Sequence, residues 1–182
     1  MHLECVIVCV NYSDFLSQTI VHNRSHFNKM VVVTDLSDIK TKRVCDYYNV
    51  ECIQTNAFYE NGDTFNKAKG INAGMERLSK TDWVLHLDSD IVLPPLFRPI
   101  LDKLALDKSS IYGVDRYMCH SFEDWQDFLM NPTPMHTGWV FVNPGIPNFP
   151  LGYRISQYFG EGYQPIGFFQ LWNPKKSGID KY

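Results

Sequence analysis

The chain has 182 residues, enough for one domain with a full core and too few for two comfortable ones. Apolar residues make up 45% and charged residues 20%, ordinary for a soluble globular protein, and a net charge of −3 gives no basic footprint for tight duplex binding. No window approaches a membrane span, no signal peptide is expected, and the five cysteines include no Cys-x-x-Cys pair, so buried free thiols in a reducing, cytoplasmic setting are expected.

Residues 3–10 are almost continuously apolar, the pattern of a strand buried on both faces of a parallel sheet. Asn11 and Tyr12 stand at its carboxyl end, and Ser13 is the expected N-cap of a helix to about residue 23. Met30–Val33 repeats the pattern, with Thr34 and Asp35 at the strand's end and Ser37 capping a helix over roughly 38–48. Val50–Ile53 is a short third strand. Thr64 then caps a helix whose residues Phe65, Ala68, Ile71, Met75 and Leu78 form one stripe. Gly70 and Gly74 inside it cost about 1 kcal/mol each relative to alanine. Close packing on the sheet, or a ligand against the backbone, would explain them.

The next strand, 82–87, ends in Asp88-Ser89-Asp90, followed by Ile91-Val92-Leu93 and a Pro94-Pro95 stop. Strand residues two apart share a face and lie about 6.6 Å apart. Asp88 and Asp90 can therefore converge on one cation while Ser89 points away. Two adjacent like charges call for compensation, and an oxygen-only open site suits Mg²⁺ or Mn²⁺ bridging to substrate phosphates. The competing reading makes Asp88 a helix cap and Asp90 a solvated loop residue.

Further on, the pattern predicts a helix over 96–105, a strand over Ser110–Val114, a short helix over 121–130 and a strand over Gly138–Val142. A loop-rich tract over 144–174 carries repeated Pro, Gly and aromatic residues. Strands alternating with helices give an α/β fold, a three-layer α/β/α sandwich with a mostly parallel central sheet. Ligands in such sheets sit outside the carboxyl ends of the strands, where Asn11-Tyr12, Thr34-Asp35 and Asp88-Ser89-Asp90 all fall. No Gly-rich fingerprint follows the first strand, which disfavours a nicotinamide enzyme or a P-loop kinase.

With these blocks, above all Phe65–Gly74 and Leu85–Asp90, the sequence resembles the GT-A-fold glycosyltransferases, nucleotide-sugar-dependent enzymes with an Asp-x-Asp motif, of family-2-like or galactosyltransferase-like type. The resemblance covers about residues 3–115. It implies that Asn11 and Tyr12 touch the nucleotide base, Asp35 the uracil or ribose side, and Lys67 and Asn72 the base or pyrophosphate. It also implies that Asp88 and Ser89 line the donor site and that Asp88 and Asp90 hold Mn²⁺ or Mg²⁺. The stretch Tyr158–Tyr163 loosely resembles an acidic acceptor motif, making Glu161 the candidate catalytic base, with a turn glutamate as the plain alternative. No histidine follows His136, so the downstream metal-binding histidine common in the family is missing.

One GT-A-like domain spans 1–182 in this reading, with 1–93 as the nucleotide-sugar-binding half and 94–182 as an acceptor-side half that looks incomplete at its C-terminus. His86 shares parity with Asp88 but is expected as a hydrogen-bonded core residue; Trp139 is expected in the core, and Trp172 is evenly balanced between core and site. The expected function is a metal-dependent transfer of a sugar from a UDP-linked donor to a glycan, lipid, protein or modified nucleic-acid base, without stable nucleic-acid binding. The alternatives are a catalytically degenerate nucleotide- or glycan-binding protein and a nucleotidyltransferase.

Overall fold

The computed structural model describes residues 1–114, 119, 121–130, 158–159, 162–163, 167–179 and 181–182. The chain divides into two compact units, Met1–Tyr112 with Gly167–Tyr182, and Gly113–Ile166. The first unit is an α/β sandwich. Its strands β1 (Leu3–Val8), β2 (Lys29–Asp35), β3 (Glu51–Thr55) and β4 (Trp83–Asp88) alternate with α1 (Ser13–Asn23), α2 (Ile39–Tyr48) and α3 (Lys67–Met75), and α4 (Phe97–Leu101) follows. In the second unit α5 spans Phe122–Met130, and β5 (Tyr158–Phe159) pairs antiparallel with β6 (Gly162–Tyr163). β7 (Phe169–Trp172) returns to the first unit and completes a sheet ordered β3-β2-β1-β4-β7. Four strands are parallel and β7 alone is antiparallel, with His86 opposite Gln170 and Val84 opposite Trp172.

Strand parity divides the core. Val6, Val8, Val31, Val33 and Val84 pack with Ile71 and Met75 of α3, with Phe58, and with Trp172. The opposite parity carries Cys9, whose Sγ meets Thr41 Oγ1 of α2 at 3.6 Å. A Cβ on Gly70 would stand 2.0 Å from the Phe58 ring, and one on Gly74 would stand 2.4 Å from Val6. Close packing explains both glycines: Gly74 lies against the sheet, and Gly70 against Phe58 of the 3-10 turn Ala57–Gly62. Cys5, Cys9 and Cys45 are buried free thiols. No helix among the described residues is long and apolar enough to cross a membrane.

Several boundaries differ from the sequence expectations for local reasons. Asp38, not Ser37, caps α2, accepting from Thr41 N–H at 3.1 Å, and Asn66, not Thr64, caps α3 by accepting from Lys69 N–H at 3.2 Å. Tyr12 precedes α1 with no side-chain cap from Ser13. The strand expected over 110–114 reduces to one bridge, Tyr112 with Leu171. β7 lies in the tract expected as loops; Trp172 is 2% exposed, donates to Ile179 O at 3.2 Å, and is core. The expected strand at 138–142, with Trp139, falls outside the described residues, as do His120, Glu161 and Asp180.

Candidate active site

Three parallel strands end side by side at one edge of the sheet. β1 leads into Asn11, which takes a left-handed φ of 59°, as an asparagine tolerates better than most residues. Its N–H donates to Asp38 Oδ2 at 2.7 Å, and Thr34 Oγ1 donates to the same oxygen at 2.8 Å. Asp38 thus ties the exits of β1 and β2 to the start of α2. Burial pushes its carboxyl up, but the donors around it outweigh that effect and hold it below the ordinary value. Tyr12, 55% exposed, lies 5.7 Å from Phe15 and forms an open aromatic surface beside this edge.

Asp35 ends β2 and serves the turn that follows it. Its Oδ1 accepts from Ser37 N–H at 2.8 Å and also from the Ser37 hydroxyl. Those donors hold its pKa below the ordinary carboxylate value.

Asp88 ends β4 and has longer-range partners. Lys67, the first residue of α3, reaches across 21 positions of sequence so that its ammonium contacts Asp88 Oδ1. His86, on the same face one alternation back, brings Nε2 to 3.5 Å from that oxygen. The histidine is 1% exposed, and neither ring nitrogen completes a hydrogen bond among the described residues. Burial, then the nearby Lys67 charge, pushes its pKa down to about 3, so the imidazole is neutral. The Tyr182 ring packs on it at 5.2 Å. Asn72 holds the Tyr182 main chain, accepting from its N–H at 2.6 Å and donating to its carbonyl at 2.9 Å.

Lys67 and Asp88 are therefore joined directly, and Asn72 is linked to their surroundings through Tyr182. Asn11 and Asp35 meet the α2 start, not this pair. Asp38, Tyr182 and Gln170 were not singled out from the sequence. Only Asp38 had a signal, a cap aspartate three residues before Thr41.

A scan of family models matches glycosyl transferase family 2 over residues 4–159. The chain belongs to glycosyl transferase family 2. Curated protein sequences yield no match. Among solved structures, glucosyl-3-phosphoglycerate synthase from Mycobacterium tuberculosis, in complex with UDP, aligns with 17% identity and a TM-score of 0.50, covering 72% of this chain and 50% of that one. Mannosyl-3-phosphoglycerate synthase from Rubrobacter xylanophilus aligns with 18% identity and a TM-score of 0.43, covering 53% and 33%. A nucleotidyl transferase from Methanothermobacter thermautotroptrophicus reaches 0.46 at 12% identity, covering 64% and 65%. At these identities the likeness is one of fold, a GT-A-type nucleotide-sugar transferase fold. The chain spans about a third to a half of the length of the synthases it resembles.

In this family-2 chain the Asp-Ser-Asp stretch is not a continuous strand. β4 stops at Asp88, and Ile91 N–H donates back to Asp88 O at 3.3 Å, so Ser89 and Asp90 form a turn. The strand-parity argument for Asp90 therefore fails; turn geometry sets its direction. Ser89 is buried, and its carbonyl accepts from Thr19 Oγ1 of α1 at 2.6 Å. Asp90 is exposed.

Among the described residues no three His, Cys, Asp or Glu side chains cluster as a metal cage. Mg²⁺ or Mn²⁺ needs only one or two carboxylates when waters and substrate phosphates complete its shell. Asp88 is 28% exposed and Asp90 is exposed, so both carboxylates are open to solvent.

Proposed function

We propose that this chain transfers a glycosyl group from a nucleoside-diphosphate sugar, UDP-linked, to an acceptor hydroxyl. The observation that carries the reading is the Lys67–Asp88 pair at the carboxyl edge of β4, within a family-2 chain. An ammonium and a carboxylate at the mouth of a parallel sheet can exchange partners with a diphosphate and its counter-ion. Support for a UDP donor comes from the Mycobacterium tuberculosis synthase, whose structures include complexes with UDP and with Mn²⁺, UDP-glucose and phosphoglyceric acid.

In the transfer, the acceptor oxygen bonds to the anomeric carbon as the bond from that carbon to the diphosphate oxygen breaks. Asn11 and Tyr12 would flank the base, with the exposed Tyr12 ring available for stacking. Lys67 would turn from Asp88 to the diphosphate and oppose the negative charge that grows on the leaving group. Asp88 and Asp90 would hold Mn²⁺ or Mg²⁺, which when bound acts as a Lewis acid toward the departing diphosphate. Glu161 is the proposed base that takes the acceptor's proton.

Thermal unfolding with a panel of nucleotides, with and without EDTA, tests the reading. A ligand bound only by the folded form at a hundredfold excess over its Kd stabilises by about 2.7 kcal/mol. UDP should raise the melting temperature with Mn²⁺ or Mg²⁺ and lose most of that effect with EDTA. No shift with any nucleotide would contradict the proposal.

A further inference from the structure

We infer that His86 is a positioning residue for Asp88, donating from Nε2–H to the carboxylate when a nucleoside diphosphate draws Lys67 away. The inference rests on the donor-site reading above and extends it to a residue buried beneath the site. β4 is otherwise apolar up to Asp88: Trp83, Val84, Leu85 and Leu87 are all buried. An apolar side chain at 86 would fill the same space without a desolvation cost. A buried histidine whose ring nitrogens complete no well-formed hydrogen bond is a cost to stability, because a buried polar group without a good partner is unfavourable.

The geometry supplies a use for that cost. Nε2 stands 3.5 Å from Asp88 Oδ1, just beyond a good hydrogen bond, while Lys67 occupies the same oxygen. A small side-chain adjustment closes the gap once the ammonium leaves. A neutral imidazole has one donor and one acceptor nitrogen, so it can hold the carboxylate without competing as a cation. Gln170 sits directly opposite on β7, and its side chain interacts with the imidazole, placing a second polar group within the same buried layer. The Tyr182 ring covers the imidazole, and Asn72 holds the Tyr182 backbone in place. Hydrogen bonds behind a metal-binding or substrate-binding carboxylate fix its direction, and losing them typically weakens affinity by about 10–100-fold.

Calorimetry of UDP in the presence of Mn²⁺, beside melting temperatures, tests this in the wild type, His86→Phe and His86→Gln. His86→Phe should melt at or above the wild-type temperature yet bind UDP about tenfold more weakly. His86→Gln, with an amide N–H at similar reach, should recover most of the affinity. Wild-type affinity in His86→Phe would make the histidine a core residue only and overturn the inference. If the wild type binds no UDP with Mn²⁺, the donor-site reading fails and this role fails with it. If His86→Phe does not fold, nitrogen-15 NMR of the wild-type imidazole with UDP and Mg²⁺ decides the matter. A hydrogen-bonded Nε2–H in that complex supports the inference, and an unprotonated Nε2 overturns it.

Discussion

β2 and β4 flank β1, and both end a buried apolar run in an aspartate, yet the two carboxylates have different partners. Asp35 is satisfied by Ser37, two residues on, and closes the turn into α2. Asp88 receives nothing comparable from its own loop, because Ser89 is buried and turns its carbonyl to Thr19. Its partners come from α3 and from deeper in β4. A carboxylate with donors in the next turn is occupied by its own backbone; one without them is left for distant residues and for ligands. That difference leaves Asp35 engaged with its own turn and Asp88 engaged with more distant residues.

The comparison can be broken at several points. The largest effect is expected from Asp90→Asn, which keeps size and removes one charge and one hard oxygen ligand. Loss of about 3 kcal/mol of leaving-group stabilisation would lower sugar transfer or donor hydrolysis by about two orders of magnitude with little change in melting temperature. Rate assays beside thermal unfolding check it; wild-type turnover would remove Asp90 from the site. Asp38→Ala should act on stability instead. It strips acceptors from Asn11 N–H, Thr34 Oγ1 and Thr41 N–H, and denaturant unfolding should show a loss of about 2–3 kcal/mol.

A more moderate effect is expected of Lys67→Met. It removes the cation from Asp88 and, in this reading, from the diphosphate, so UDP should bind about tenfold more weakly in calorimetry. Unchanged affinity would reduce the Lys67–Asp88 pair to a surface ion pair.

The smallest effect is in pH. The folded pKa of Asp38 lies below its ordinary value, so its stabilisation is present above the unfolded pKa near 4 and is lost as pH falls through the folded one. The melting-temperature gap between wild type and Asp38→Asn should therefore be constant above about pH 5 and narrow below about pH 4. A gap that widens on acidification would contradict the assignment.

Much of the fold was legible because buried parallel strands write themselves as apolar runs: β1, β2 and β4 fall where residues 3–10, 30–33 and 82–87 indicate them. β7 was not legible. Phe169–Trp172 is four residues long amid Pro, Gly and aromatics, and only its pairing with β4 makes it a strand. In the site, Asp88 and Lys67 could be named from motif-like blocks, but their contact depends on the Asn66 cap that starts α3 at Lys67, and that cap was read as Thr64. Strand alternation does not extend to Asp90, because β4 ends at Asp88 and a turn follows. Tyr182 and Gln170 carry no local signal, since their position over and opposite His86 is set by long-range pairing.

The most direct test of the central claim is calorimetry of UDP with Mn²⁺ on the wild type, Asp88→Asn and Asp35→Asn. Asparagine at 35 still offers an oxygen to Ser37, so that variant should fold normally and bind UDP within about twofold of wild type. Asp88→Asn should fold equally well and lose about tenfold or more in affinity. Equal affinity in the two variants, or a greater loss at Asp35 than at Asp88, would contradict the account.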